Sequence, residues 1–284
     1  MKTSKSLLLS AGLVLAAAAH AQQTVHFKLS YDPNTVYNIE LTQKTNIHFN
    51  LDSSSDEVKA QMDTAKFAAM GAKGMANHLQ STLTTGPQDP ATSRSPIRME
   101  VQHMGSDDSA QTLPFRMVLG HVEPNSWPVF DSIVTDNPEP AFSKLMVTTM
   151  NNMFSEMRIP EFDITPGHSY TYSSPLSFPV GPMAIKMKLQ TTFTLVNISG
   201  GVAHFNTTTV IAMDMDGGDN AMIPMTATGS GSGTSDYDIQ GRFMRASNLK
   251  YTMDMGIHKE PLIMHILFTI NQQMSTSKQP AKKG

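Results

Sequence analysis

The chain has no cysteine. That removes disulfides, thiol nucleophiles and thiolate metal ligands together, and it removes the lipid-bearing cysteine of a lipoprotein. One tryptophan and a 7% aromatic share are too little for the two girdles of an outer-membrane barrel, the second-ranked fold for a chain like this. Charge is sparse and nearly balanced, with 21 Lys and Arg against 24 Asp and Glu. No segment gathers a basic patch, which argues against nucleic acid as a partner. No apolar run reaches the roughly 18 residues of a helical membrane span. Catalytic signatures are missing too. No histidines stand in an H-E-x-x-H or H-x-H spacing. Gly229-Ser230-Gly231-Ser232-Gly233 has glycine where a nucleophile elbow needs serine, and neither a lysine nor a helix follows as a phosphate loop requires. Asp214, Asp216, Asp219 and Asn220 share a turn, but Gly218 and Asp219 reverse the order of a calcium loop. The expectation is a protein that is not an enzyme and carries no cofactor.

Methionine is what the chain has in excess, 22 residues. Thioethers fill irregular cores, make pliable binding surfaces and ligate soft metals. The N terminus also has a clear pattern. Lys2 and Lys5 precede an apolar stretch from Leu7 to Ala18, and Ala19-His20-Ala21 is a small-x-small cleavage site. The expectation is a signal peptide over residues 1–21 and an extracytoplasmic protein, in the periplasm of a Gram-negative bacterium. Without the two signal lysines the formal charge moves from −3 to about −5.

From Met183 to Met255 the apolar residues recur at every second position. Met183, Ile185, Met187, Leu189, Phe193 and Leu195 alternate with Lys186, Lys188, Gln190, Thr192 and Thr194. Period two marks a strand with one buried face. The same alternation runs through Ala203 to Met215, Thr226 to Tyr237 and Leu249 to Met255, with turns at Ser199-Gly200-Gly201 and Gln240-Gly241. Upstream, Val25 to Tyr31 and Tyr37 to Leu51 are expected to form a hairpin about Asp32-Pro33-Asn34. Ile97 to His103, Leu113 to Leu119 and Val129 to Val134 read as shorter strands. Leu262 to Ile270 closes the set. One domain over residues 22–271 is expected, with a flexible tail over 272–284.

Two stretches change period. Ser54 to Leu83 opens with a capping box and places Val58, Met62, Ala65, Ala69, Ala72, Ala76 and Leu79 on one helical face. It reads as a helical insertion over 54–83, followed by a proline-rich loop over 84–96. Asn137-Pro138 opens a second helix, with Phe142, Leu145, Met146, Met150, Met153, Phe154 and Met157 on one stripe. The fold class is therefore mainly β: a large curved antiparallel sheet or partial barrel with one or two amphipathic helices.

Three segments carry a resemblance: VHFKLSYDPNTVYNIELTQ from Val25, IPEFDITPGHSYTY from Ile159 and GRFMRASNLKYTMDMGI from Gly241. Together they resemble a family of secreted bacterial proteins of uncharacterised function. In the second segment His168 stands in place of an acid and Tyr170 in place of a tryptophan. The likeness implies no catalytic residues. By analogy of fold it implies half-barrels like those that carry lipoproteins or lipids across the periplasm.

The candidate site follows from the bare strip of Gly229, Gly231 and Gly233. Alternating glycine in a strand marks the close approach of another backbone or of a ligand. The methionine helix, through Met146, Met150, Met153 and Phe154, is expected to fill that strip or to line a cavity over it. The leading functional expectation is a carrier or binding module for an apolar small molecule or lipid. A structural or interaction protein of the envelope is the alternative. A third reading is Cu(I) binding by the paired thioethers Met213, Met215, Met253 and Met255.

Overall fold

The computed structural model describes residues 23–52, 75–106, 109–110, 116–124, 126–135, 140–156, 158–180, 183–213, 225–259 and 262–281. Its strands are β1 (Val25–Phe27), β2 (Thr35–Asp52), β3 (Met75–Thr85), β4 (Ser95–Ser106), β5 (Ser109–Ala110), β6 (Met117–Val122), β7 (Val129–Val134), β8 (Phe162–Ile164), β9 (Ser169–Val180), β10 (Met183–Ser199), β11 (Val202–Met213), β12 (Met225–Asp238), β13 (Phe243–Lys259) and β14 (Leu262–Pro280). The one helix among the described residues is α1 (Pro140–Glu156).

One antiparallel sheet holds nearly everything, in the order β7-β6-β4-β3-β2-β14-β13-β12-β11-β10-β9, with β5 paired to the end of β4. It is curved but not closed into a barrel. The order resolves into two meanders, β2 to β7 and β9 to β14, joined along a single seam where β2 meets β14. That seam runs from Ile263 opposite Asp52 to Pro280 opposite Thr35. The turns follow local chemistry. Asn34 adopts φ 52°, and Gly200 and Gly201 take φ 57° and 80° in the two-residue turn between β10 and β11.

The inner face is closed in two places. At one end a separate ribbon, β1 paired with β8, lies over β10, β11 and β12. Phe27 stacks on Phe162 at 4.7 Å and meets Tyr237 at 4.5 Å. Phe193, Leu195 and Phe205 complete this aromatic plug, all 4% exposed or less. The Tyr237 hydroxyl accepts from the Lys28 amide at 3.1 Å and donates to the Lys28 carbonyl at 2.9 Å, which ties the ribbon down. In the other place α1 covers Ile97, Val118, Phe130 and Ile133 through Met146, Val147, Met150 and Phe154. The Asn151 amide bonds the Phe130 backbone at both N–H and C=O, each at 2.8 Å. Helix α1 contacts both β7 and β9, the two edge strands of the sheet.

Five expectations need correction. The first hairpin does not form: β1 pairs with β8, and Val25 sits opposite Ile164. The aromatic plug wins because Phe27 is fully buried there, which no two-stranded hairpin offers. The helical insertion over 54–83 is strand from Met75 onward, where β3 pairs with β2 and β4. Its residues before 75, and the opening of the second helix at Asn137-Pro138, lie outside the described residues. The tail over 272–284 is strand through Pro280, because β2 and β13 supply backbone partners along β14. Leu145, expected on the buried stripe of α1, is 62% exposed, and Val147 packs inward instead. The loop over 84–96 is shorter than expected, since β3 ends at Thr85 and β4 begins at Ser95.

Candidate functional site

Cross-strand register lets the inner face be read in rows. Beside the aromatic plug the first row is Phe193, Thr207, Gly233, Leu249, Gln272 and Gln43. The next is Thr191, Thr209, Gly231, Tyr251, Ile270 and Thr45. Apart from Phe193, Leu249, Tyr251 and Ile270, these two rows form a belt of small and polar side chains. Thr191 and Thr209 hydroxyls lie 3.3 Å apart, and Thr207 and Ser235 hydroxyls 3.0 Å apart.

Beyond the belt the face becomes apolar. One row is Leu189, Ile211, Gly229, Met253, Phe268 and Ile47. The next row sets Ala227, Met255, Ile266 and Phe49 side by side across β12, β13, β14 and β2. The large side chains of both rows, with Met187 beside them, keep intermediate exposure. They are neither closed off like the aromatic plug nor placed on the outer, polar face.

The glycine strip is filled from the neighbouring strand. Tyr251 lies directly opposite Gly231, and a Cβ added at Gly231 would stand 2.2 Å from its Cδ1 and 2.6 Å from its Cε1. The ring therefore lies over the strip, an aromatic covering a strand glycine. At Gly233 the neighbour is backbone, with the Asn248 carbonyl oxygen 1.9 Å from an ideal Cβ. Gly229 faces the Thr252 carbonyl oxygen at 2.8 Å. Close approach is thus the reason for all three glycines, but the occupant is Tyr251 and the β13 backbone. The Met146, Met150 and Phe154 side chains sit on the other cluster, beneath β4, β6 and β7. Met153 lies in α1, with its side chain outside the described residues.

The paired thioethers are not neighbours along the sheet. β12 separates Met213 on β11 from Met253 and Met255 on β13, which sets them two strand spacings, about 10 Å, apart. Met215 lies outside the described residues. Among the described residues no group of three His, Cys, Asp or Glu is disposed to hold a metal ion.

Burial shapes the tyrosines. It pushes the Tyr31 hydroxyl up to about 12, with help from Tyr37. It pushes Tyr37 up to about 12 as well, partly offset by the Asp32 amide, which donates to the Tyr37 hydroxyl at 2.7 Å. Tyr251 is raised by burial, with a smaller contribution from Tyr172. Tyr172 stands on β9, opposite Thr191 of β10, and Tyr251 on β13, opposite Gly231 of β12.

The outer face carries histidine–carboxylate pairs between neighbouring strands. His204 Nδ1 is 2.8 Å from Asp236, His121 Nδ1 is 2.9 Å from Asp131, and His78 Nε2 is 3.1 Å from Glu40. On the ribbon, His26 Nδ1 is 2.7 Å from Asp163. They are exposed, and such pairs contribute little to stability. Lys28 bonds Glu161 and holds that carboxyl below its ordinary range.

The sequence reading missed Tyr251, Phe268, Ile47 and Phe49 as parts of one surface. Each lies on a correctly read strand, but their adjacency depends on the β2–β14 seam between the chain's two ends. No protein-family model and no curated protein matches this chain.

Proposed function

We propose that this protein is a secreted, non-catalytic carrier that holds an apolar ligand, such as an acyl chain, on the inner face of its curved sheet. One observation carries the reading. The Leu, Ile, Met and Phe side chains of two adjacent rows stay half-buried on a face that is otherwise closed by aromatic packing and a helix. A row of large apolar groups in that state favours an apolar occupant, because covering it removes apolar surface from water. Methionines at 187, 253 and 255 suit the role, since their flexible thioethers adapt to different chain shapes. The Tyr251 ring and the threonine belt form the floor.

The test is titration of the purified protein with cis-parinaric acid. Saturable binding with enhanced probe fluorescence is expected. Phe268→Asp puts a carboxylate in the middle of the apolar row and should weaken binding at least about tenfold, a loss of about 1.4 kcal/mol. Wild-type protein that does not bind the probe, or binding untouched by Phe268→Asp, refutes the reading.

A further inference from the structure

A second surface, on the opposite face of the sheet, has the features of a built recognition groove. A hollow of about 510 Å³ crosses β3, β2, β14 and β13 on the outer side. Its floor is made of small residues, Ser275, Ser277 and Ala246. One wall is a bonded ladder: the Gln102 amide donates to the Thr82 hydroxyl at 2.9 Å, and Thr82 donates to Asn38 at 3.3 Å. Beside it Gln80 donates to Glu40 at 3.4 Å. The opposite wall is Asp236 and Arg245.

Two β-bulges build these walls. The register between β12 and β13 slips beside Asp236, where Ala246 is its partner and Met244 is the partner of Tyr237, so Arg245 is the extra residue. The register between β3 and β4 slips beside Gln80, where His103 is its partner and Val101 is the partner of Ser81, so Gln102 is the extra residue. A bulge adds a side chain to one face without moving the rest of the strand to the other. Here each bulge adds one polar group, and the two face each other across the hollow.

Arg245, with Thr276 and Ser277, also borders a second hollow of about 830 Å³ lined by Phe243 and Lys278. The charges around it are engaged elsewhere. Asp236 faces His204, Glu40 faces His78, and Lys278 pairs with Asp32. Arg245 makes no ion pair among the described residues.

We infer that this groove binds an acidic oligosaccharide, with Arg245 on a sugar carboxylate. The floor strands β2, β14 and β13 are interior to the sheet, and their backbone groups are spent on the ladder. A peptide therefore cannot add as a strand, and recognition runs through side chains. Amides, carboxylates and hydroxyls held by one another suit vicinal hydroxyls of a sugar. A free guanidinium supplies the bidentate fork that a carboxylate takes.

The experiment is calorimetric titration with tetragalacturonic acid, using maltotetraose as the uncharged comparison. The acidic tetrasaccharide should bind at least tenfold more tightly than the neutral one, and more weakly as salt rises. Arg245→Gln should cost at least tenfold, and Arg245→Lys should recover only part, because ammonium lacks the planar fork. Lys250→Gln, on the same outer face but outside the groove, should change nothing. Thermal melts and cis-parinaric acid binding should be unchanged in Arg245→Gln, which keeps this inference separate from the inner-face carrier. No binding of tetragalacturonic acid by the wild type, equal binding of both sugars, or an equal loss in Lys250→Gln overturns it.

Discussion

The contact between Tyr251 and Gly231 can be tested by a double-mutant cycle. In Gly231→Ala the new Cβ would lie 2.2 Å from Tyr251 Cδ1. Carbon contacts settle at about 3.5–4.0 Å, so the ring must retreat by more than about 1 Å. Overpacking of this kind costs about 1–3 kcal/mol. Alanine returns about 0.4–1 kcal/mol through a less flexible unfolded chain. The expected net loss is about 1–2 kcal/mol. Tyr251→Ala alone uncovers the strip. Full aromatic truncation in a core costs about 3–5 kcal/mol, and for a ring that keeps partial exposure about 2 kcal/mol is expected. Independent effects would sum to about 3–4 kcal/mol in the double variant. With the ring gone, however, the alanine has nothing to displace and its gain remains, so a loss of only about 1–1.5 kcal/mol is expected, a coupling of about 2 kcal/mol. Gly233→Ala is the comparison. Its Cβ would strike the Asn248 carbonyl oxygen at 1.9 Å, which is backbone, so Tyr251→Ala should not rescue it. Urea unfolding followed by circular dichroism measures all of these. Additivity within about 0.5 kcal/mol at Gly231, or equal rescue at Gly233, would refute the packing argument.

Asn151→Ala leaves the Phe130 amide and carbonyl without their side-chain partner, at a cost of about 1–3 kcal/mol, and hydrogen exchange across residues 140–156 should quicken. Unchanged protection of α1 would show that the apolar contacts alone hold it. Tyr31 and Tyr37 have folded-state hydroxyls raised to about 12 from an ordinary 10. Their neutral forms favour the folded chain, so this contribution is complete below about pH 10 and is lost as pH climbs from 10 towards 12. Phenolate absorbance at 295 nm should therefore lag behind that of unfolded protein, and Tyr31→Phe should shrink the lag; coincident titrations would contradict the burial.

The strands from β10 to β14 were legible because one face of each meets a core, and period two records that directly. The helix α1 was legible for the same reason at a different period. What was lost depended on partners far away in sequence. The Met75–Leu83 segment holds alanine and leucine at spacings that suit a helix, and only the β2 and β4 ladders on either side make it a strand. Polar residues from Gln272 to Lys278 looked like a tail, yet they continue β14 where the inner face itself turns polar. The site was half legible. Alternating glycines announced a close approach, but not by what. Counting back from the Asp238–Phe243 pair without a bulge would set Gly231 opposite Lys250, and the slip at Arg245 puts Tyr251 there instead. That single extra residue hid both the cover of the inner strip and the cation of the outer groove. The polarity of Asn151 fits the outer stripe of a helix, yet its amide bonds the backbone of the edge strand β7.

The seam between β2 and β14 sets the order in which the molecule can be finished. β2 is the first long strand to be made and β14 the last, so the longest ladder in the sheet joins the two ends of the chain. Each meander can assemble from strands that are neighbours in sequence, none separated by more than the 22 residues between Asp52 and Met75. The seam must wait for a loop of more than two hundred residues to close, the slowest kind of contact to form. Until Leu262–Pro280 has emerged, β2 and β13 each present a long unpaired edge, the geometry that invites pairing with other chains. A chain emerging from its N terminus therefore carries an open β2 edge through most of its synthesis, and Leu262–Pro280 act as the strip that zips it shut.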